Sequence, residues 1–194
     1  MSSADALVAL LAARSARRGH FVLSSGRESS LYIDARLTTM SPDGLVLIGE
    51  LGLQAIEASG WNVDAVGGLT LGADPVAYAI AYTSARRNRL IRAFTVRKEP
   101  KAHGTGRVIE GPFRSGDRVA IIEDVITTGG SALRAAESVE AAGGIVAGVL
   151  AVVDRGEGGS ERLNERGWPV MALAHARDII AHLGDDDSLH ASSS

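Results

Sequence analysis

Val119-Ala120-Ile121-Ile122 is a run of β-prone apolar residues. It passes without a break into Glu123-Asp124, then Val125-Ile126, then Thr127-Thr128-Gly129-Gly130-Ser131 and Ala132. An apolar run with no polar alternation suits a strand covered on both faces, the condition of a parallel sheet between layers of helices. Ala132 to Ala142 has the composition of a following helix, and Gly143-Gly144 stops it. A buried strand, a tight turn and a helix in that order restrict the chain to α/β architectures.

The rest of the chain repeats the alternation. Ala6 to Ala13 reads as an amphipathic first helix between Asp5 and Arg14, too short to span a bilayer and without the basic start of a leader segment. Phe21-Val22-Leu23 and Leu31-Tyr32-Ile33 flank the polar Ser24–Ser30 and predict a small hairpin outside the main sheet. Ser41-Pro42 opens the next helix, with serine as N-cap and proline at the first helical position. Strands are expected at Ala65-Val66, Leu90–Val96, Val119–Ile122, Ile145–Val153 and Val170–Ala174, with helices between most of them. At 194 residues, 45% hydrophobic and 4% aromatic, the chain suits one domain with an aliphatic core, spanning 1–184. The Asp run and Ser-rich end of 185–194 predict a disordered tail. There is no internal repeat.

The turn after the buried strand carries chemistry. Thr127 to Ser131 sets hydroxyls and small residues where backbone N–H groups at a helix start can wrap a phosphate. Glu123 and Asp124 would repel that phosphate and so call for other partners. Vicinal ribose hydroxyls and a magnesium ion, which takes hard oxygen ligands beside phosphates, satisfy them. The alternative is an ordinary strand, turn and helix with a solvated acidic pair.

A second segment, Arg97-Lys98-Glu99-Pro100-Lys101-Ala102-His103-Gly104-Thr105-Gly106-Arg107-Val108-Ile109-Glu110-Gly111, crowds cations at a strand end and is broken by Pro and Gly. It predicts a long mobile basic loop. Alone, such a cluster is more often solvated surface or a weak polyanion site.

The segment from Glu123 to Ala132 is similar to the phosphoribosyl-diphosphate (PRPP) signature of type I phosphoribosyltransferases. The Arg-Lys-Glu-x-Lys-x-His-Gly pattern from Arg97 to Gly104 closely resembles the catalytic loop of the orotate phosphoribosyltransferases. So do the hood segment Phe21–Arg36 and Val153-Asp154-Arg155. The resemblance runs from about Phe21 to Arg155. It implies an α/β type I phosphoribosyltransferase fold, with a central mainly parallel sheet flanked by helices and a small hood from the N-terminal and C-terminal segments. It further implies a magnesium-dependent, cytoplasmic homodimer with shared active sites, acting on orotate and PRPP in pyrimidine (UMP) biosynthesis.

Residue by residue, the resemblance implies catalytic roles for Lys101, His103, Arg97, Asp124 and Glu123. It implies PRPP contacts by Arg97, Lys98, Lys101 and His103, several of them in the neighbouring subunit's site. Further PRPP contacts are implied for Glu123, Asp124, Val125, Ile126, Thr127, Thr128, Gly129, Gly130, Ser131 and Ala132. Orotate contacts fall on Thr127 and Arg155; a strand-end arginine can meet a carboxylate bidentately, although by itself it is better read as a structural salt bridge. No residue is assigned directly to the metal. Many family members carry lysines where this chain has Ser24 and Leu71. The Leu69-Thr70-Leu71-Gly72 turn is expected to hold diphosphate through backbone N–H groups instead.

Other readings are narrowed by the same residues. Gly67 to Gly72 lacks the Lys-Ser/Thr of a nucleotide-binding P-loop. The net charge of −3 gives no general pull toward nucleic acid, and the absence of cysteine removes disulfide and thiolate chemistry. His175 and His182 have no ligand grouping around them, and His20 and His190 carry no signal. A transferase for another base, or a PRPP-sensing regulator without catalysis, would keep the cradle. The Lys-x-His loop argues against both.

Overall fold

The computed structural model describes residues 2–22, 28–99 and 108–183. Its six-stranded sheet has the order β5-β4-β3-β6-β7-β8. The strands are β3 (Ala65–Leu69), β4 (Arg92–Val96), β5 (Ile109–Glu110), β6 (Arg118–Ile126), β7 (Ile145–Asp154) and β8 (Val170–His175). All neighbours pair in parallel except β4 and β5, which are antiparallel.

The unbroken apolar run of β6 serves two cores because successive strand residues point to opposite faces. Val119 and Ile121 join one cluster, with α5 (Gly130–Ala141), Leu163 of α6 (Gly159–Glu165) and Phe94. Ala120 and Ile122 join the other, with Ile48, Leu53 and Ile56 of α3 (Pro42–Ser59) and Val76 and Ile80 of α4 (Ala73–Arg86). Each fully buried Ile or Leu contributes roughly 1.5–3 kcal/mol.

The helix boundaries follow local chemistry. Ser41 caps α3 by accepting from Gly44 N, Pro42 occupies its first turn, and Gly60 at φ 70° ends it in the left-handed region. Ser2 and Asp5 form a reciprocal capping box on α1 (Ser3–Ser15), with bonds of 2.9 and 3.1 Å. Leu7 and Leu11 of α1 and Ile179 of α7 (Ala176–His182) enter the same core, so both described chain ends close on one face. The antiparallel pair β1 (Ala16–Val22) and β2 (Glu28–Ile33) stands outside the main sheet, as expected. Arg18 Nη2 donates to Ile180 O at 3.3 Å, which links this hairpin to α7.

Three expectations are corrected. β6 runs from Arg118 to Ile126 and does not end at Ile122, so Glu123 and Asp124 lie within the strand, Glu123 opposite Ala151. The helix after the turn starts at Gly130, two residues early, because Gly129 takes the N-cap position at φ 74°. The basic loop does not extend to Gly111: Ile109 and Glu110 pair with Val96 and Thr95, and Arg97 N donates to Val108 O at 2.9 Å. A two-residue edge pairing leaves no periodic trace in sequence. The segment 100–107 and the tail 185–194 lie outside the described residues.

Candidate active site

A cleft of about 310 Å³ opens beyond the carboxyl ends of β3, β6 and β7. Its walls come from five places in the chain: Tyr32–Arg36, the Leu69–Gly72 turn, Lys98, Glu123 to Ser131 in part, and Arg155. Parallel strands all end at the same edge of a sheet, which is why residues so far apart in sequence meet here.

The acidic pair lies at the floor and is unequal. Glu123 is 7% exposed, whereas Asp124 is half-buried. Burial pushes the Glu123 carboxyl well above its ordinary range, and the neighbouring Asp124 charge adds to the shift. Asp124 Oδ1 accepts from Val125 N at 2.8 Å, which fixes its carboxylate toward the cleft. Across from it sits Gly72. A Cβ built there would lie 2.5 Å from the Asp124 carboxylate, so only glycine lets the Leu69–Gly72 backbone come this close.

The Thr127–Ser131 turn opens onto the cleft. Thr127 and Ser131 line the cleft, and α5 starts with no side-chain cap on its N-terminal N–H groups. Thr128 is exposed, and Gly129 is buried with Leu163 against it. Val125 lines the cleft. Ile126 and Ala132, by contrast, are buried in the core and do not line the cleft.

The basic segment divides. Lys98 lines the cleft, its carbonyl accepting from Arg134 Nη2 of α5 at 2.9 Å. Arg97 does not line it; its Nη1 lies 3.8 Å from Glu110 Oε1. Lys101 and His103 fall outside the described residues, as does Ser24. Arg155 has a side chain only 9% exposed. It lines the cleft, and its Nε is 2.8 Å from Glu157 Oε1. Nη2 also reaches the Leu31 carbonyl at 3.4 Å.

Two charged cleft residues, Asp34 and Arg36, escaped the sequence reading although their segment was recognised. Arg36, the first residue of the short α2 (Arg36–Thr39), grips Asp34 in a fork, Nε to Oδ1 at 2.8 Å and Nη2 to Oδ2 at 3.0 Å. That bond holds the Asp34 carboxyl below its ordinary range. The Asp-x-Arg spacing was the available signal, but only β2 docking over the sheet puts it at the cleft.

Among the described residues, no three acidic or histidine groups converge into a metal cage. Magnesium is commonly held by one or two carboxylates together with substrate phosphates, and Asp124 facing a close backbone turn fits that pattern. No helix among the described residues is long and apolar enough to cross a membrane.

The buried glutamate makes a stability prediction. The unfolded chain loses the Glu123 proton near the ordinary value of 4.5, while the folded chain keeps it to higher pH. Its stabilising contribution is therefore complete below that value and declines as pH rises through the folded value. In EDTA and without substrates, Glu123→Gln is expected to match wild type near pH 4 and to exceed it in Tm by a few degrees at pH 8, at about 2–4 °C per kcal/mol. Thermal scans across pH measure this. A difference independent of pH would show that Glu123 is not held protonated.

No family model matches the chain. It is 48% identical over 160 residues to an orotate phosphoribosyltransferase of Aquifex aeolicus, covering 82% of this chain and 86% of that one. The crystal structure of Mycobacterium tuberculosis H37Rv orotate phosphoribosyltransferase in complex with Fe(III) dicitrate matches with a TM-score of 0.81 and 42% identity, over 92% of this chain and 99% of that chain. A crystal structure of the M. tuberculosis protein in complex with PRPP matches with a TM-score of 0.78 and 39% identity, with the same coverage.

Proposed function

Since the chain belongs to the orotate phosphoribosyltransferases, with their type I phosphoribosyltransferase fold, we propose that it transfers the phosphoribosyl group of PRPP to orotate, giving orotidine 5′-monophosphate and diphosphate for pyrimidine biosynthesis. The observation that carries this reading is one cleft lined together by Glu123, Asp124, Thr127, Ser131 and the Leu69–Gly72 turn. One turn suits the 5′-phosphate and the other the diphosphate, with the ribose between them over the acids.

The bond from the anomeric carbon to the diphosphate oxygen breaks as the bond to the orotate ring nitrogen forms. Orotate arrives as an anion able to attack, so no side chain serves as a covalent nucleophile. Asp124 and Glu123 orient the ribose hydroxyls, and the Asp124 charge favours the oxocarbenium-like ring. Lys98, with Arg97, Lys101 and His103, gathers charge on the departing diphosphate and excludes water. Asp124 would hold magnesium together with substrate oxygens, and the ion when bound neutralises diphosphate charge. We read the working unit as a homodimer in the cytoplasm, each loop closing over its neighbour's cleft.

The direct test is the spectrophotometric loss of orotate, which should require both PRPP and magnesium. Consumption of PRPP with another base and none with orotate would overturn the reading. Arg155→Ala tests the base contact. Glu157 on Nε and the Leu31 carbonyl on Nη2 set the plane of the guanidinium at the cleft wall. Removing this fork should raise KM for orotate about 10- to 100-fold, the range for a lost charge-assisted contact, and leave KM for PRPP nearly unchanged. Equal weakening of both substrates would mark a purely structural arginine.

A further inference from the structure

Asp74 lies in the first turn of α4 and is only 9% exposed, yet it does not line the cleft. Both its oxygens are used. Thr70 Oγ1 donates to Oδ2 at 2.7 Å, and Thr95 Oγ1 donates to Oδ1 at 2.8 Å. Because the Thr95 hydrogen is committed to Asp74, the 3.0 Å bond between Tyr78 and Thr95 must be donated by the tyrosine. One carboxylate thus joins three elements: the Leu69–Gly72 turn, the last residues of β4, and α4. The backbone reinforces the joint, since Thr70 N donates to Val96 O at 2.8 Å and Asp74 N to Leu71 O at 3.3 Å.

These elements carry the site. The turn held through Thr70 ends in Gly72, against the Asp124 carboxylate. The strand held through Thr95 leads directly into Arg97 and Lys98. Thr95 also stands opposite Glu110 of β5, which receives the chain on its return from the basic segment. A surface carboxylate could be exchanged for water at little cost. A buried one that accepts two hydroxyl bonds fixes the separation of the parts it joins.

We propose that Asp74 is a positioning residue for phosphoribosyl transfer, clamping the Leu69–Gly72 turn to the root of the basic loop so that both present a preset surface to the diphosphate. The inference rests on the reading of that turn as the diphosphate cradle. Asp74 itself touches no substrate. Its loss lets the turn and strand end relax apart, so groups that should meet the diphosphate together no longer do so.

The test compares Asp74→Asn, Thr95→Val, Thr95→Ser and Gly72→Ala in the full chain. It measures kcat, KM for each substrate, and inhibition by inorganic diphosphate against PRPP. Asparagine has one acceptor oxygen where the carboxylate has two. Asp74→Asn should therefore raise KM for PRPP and the inhibition constant for diphosphate by about tenfold, equivalent to ~1.4 kcal/mol, with KM for orotate changed less than about twofold. Thr95→Val should move the same two constants in the same direction, and Thr95→Ser, which keeps the hydroxyl, should restore them. If Asp74→Asn does not fold, the two Thr95 variants decide alone. Unchanged PRPP and diphosphate constants in Asp74→Asn and Thr95→Val, with Gly72→Ala impaired, would overturn the role of Asp74 while sparing the cradle. If Gly72→Ala also left diphosphate inhibition untouched, the cradle reading itself would fall, and the inference with it.

Discussion

Asp124→Asn is expected to lower kcat by about a hundredfold or more, the scale found when a preorganised electrostatic group is removed from a reaction centre. The amide keeps the volume and can still accept from Val125 N, so the 2.8 Å backbone bond that orients the side chain survives. What disappears is the negative charge beneath a ring that becomes positive in the transition state. Glu123→Gln should also reduce turnover, by changing the hydrogen bonds offered to the ribose hydroxyls, while the metal-free, substrate-free protein becomes more stable at alkaline pH because a buried carboxyl no longer has to ionise. Fold and catalysis should therefore separate at this pair. Steady-state kinetics at saturating PRPP, set beside thermal unfolding, reads both quantities. Near-normal turnover in both variants would remove the pair from the chemistry.

Subunit mixing should show the second large effect, the return of activity from two inactive proteins. If Lys101 serves the neighbouring cleft, Lys101→Ala and Asp124→Asn subunits are each inactive as pure dimers. A mixed dimer has one cleft with both defects and one with neither. Random exchange of equal amounts makes roughly half the dimers mixed, and about a quarter of wild-type activity returns if the sites act independently. In this structure Arg97 faces Glu110 rather than its own cleft, and Lys98 is the described residue of the basic segment at the cleft wall. Labelled subunits would establish that exchange has occurred. Exchange without recovered activity would place the loop over its own chain's cleft.

Local order in the sequence determined the β6, turn and α5 unit, because an apolar run, an acid pair, a Gly-rich turn and a helix start act on neighbouring residues. The same holds for α3, where the Ser41 cap, Pro42 and Gly60 are all short-range signals. It holds also for the alternation that produces a parallel sheet, and for the resemblance of the basic segment to a known loop. Tertiary structure alone decided what depends on distant partners. Glu123 is buried and Asp124 only half-buried, because successive residues of β6 point to opposite faces, and the layers that cover those faces come from distant segments of the chain. Asp34 and Arg36 reach the cleft only because the hairpin docks above it, and β5 exists only because the chain returns beside β4. Asp74 in isolation reads as an ordinary first-turn acid favoured by the helix dipole. Its two hydroxyl partners, at Thr70 and Thr95, are brought together by the parallel pairing of β3 with β4, an interaction between segments more than 20 residues apart that no local pattern encodes.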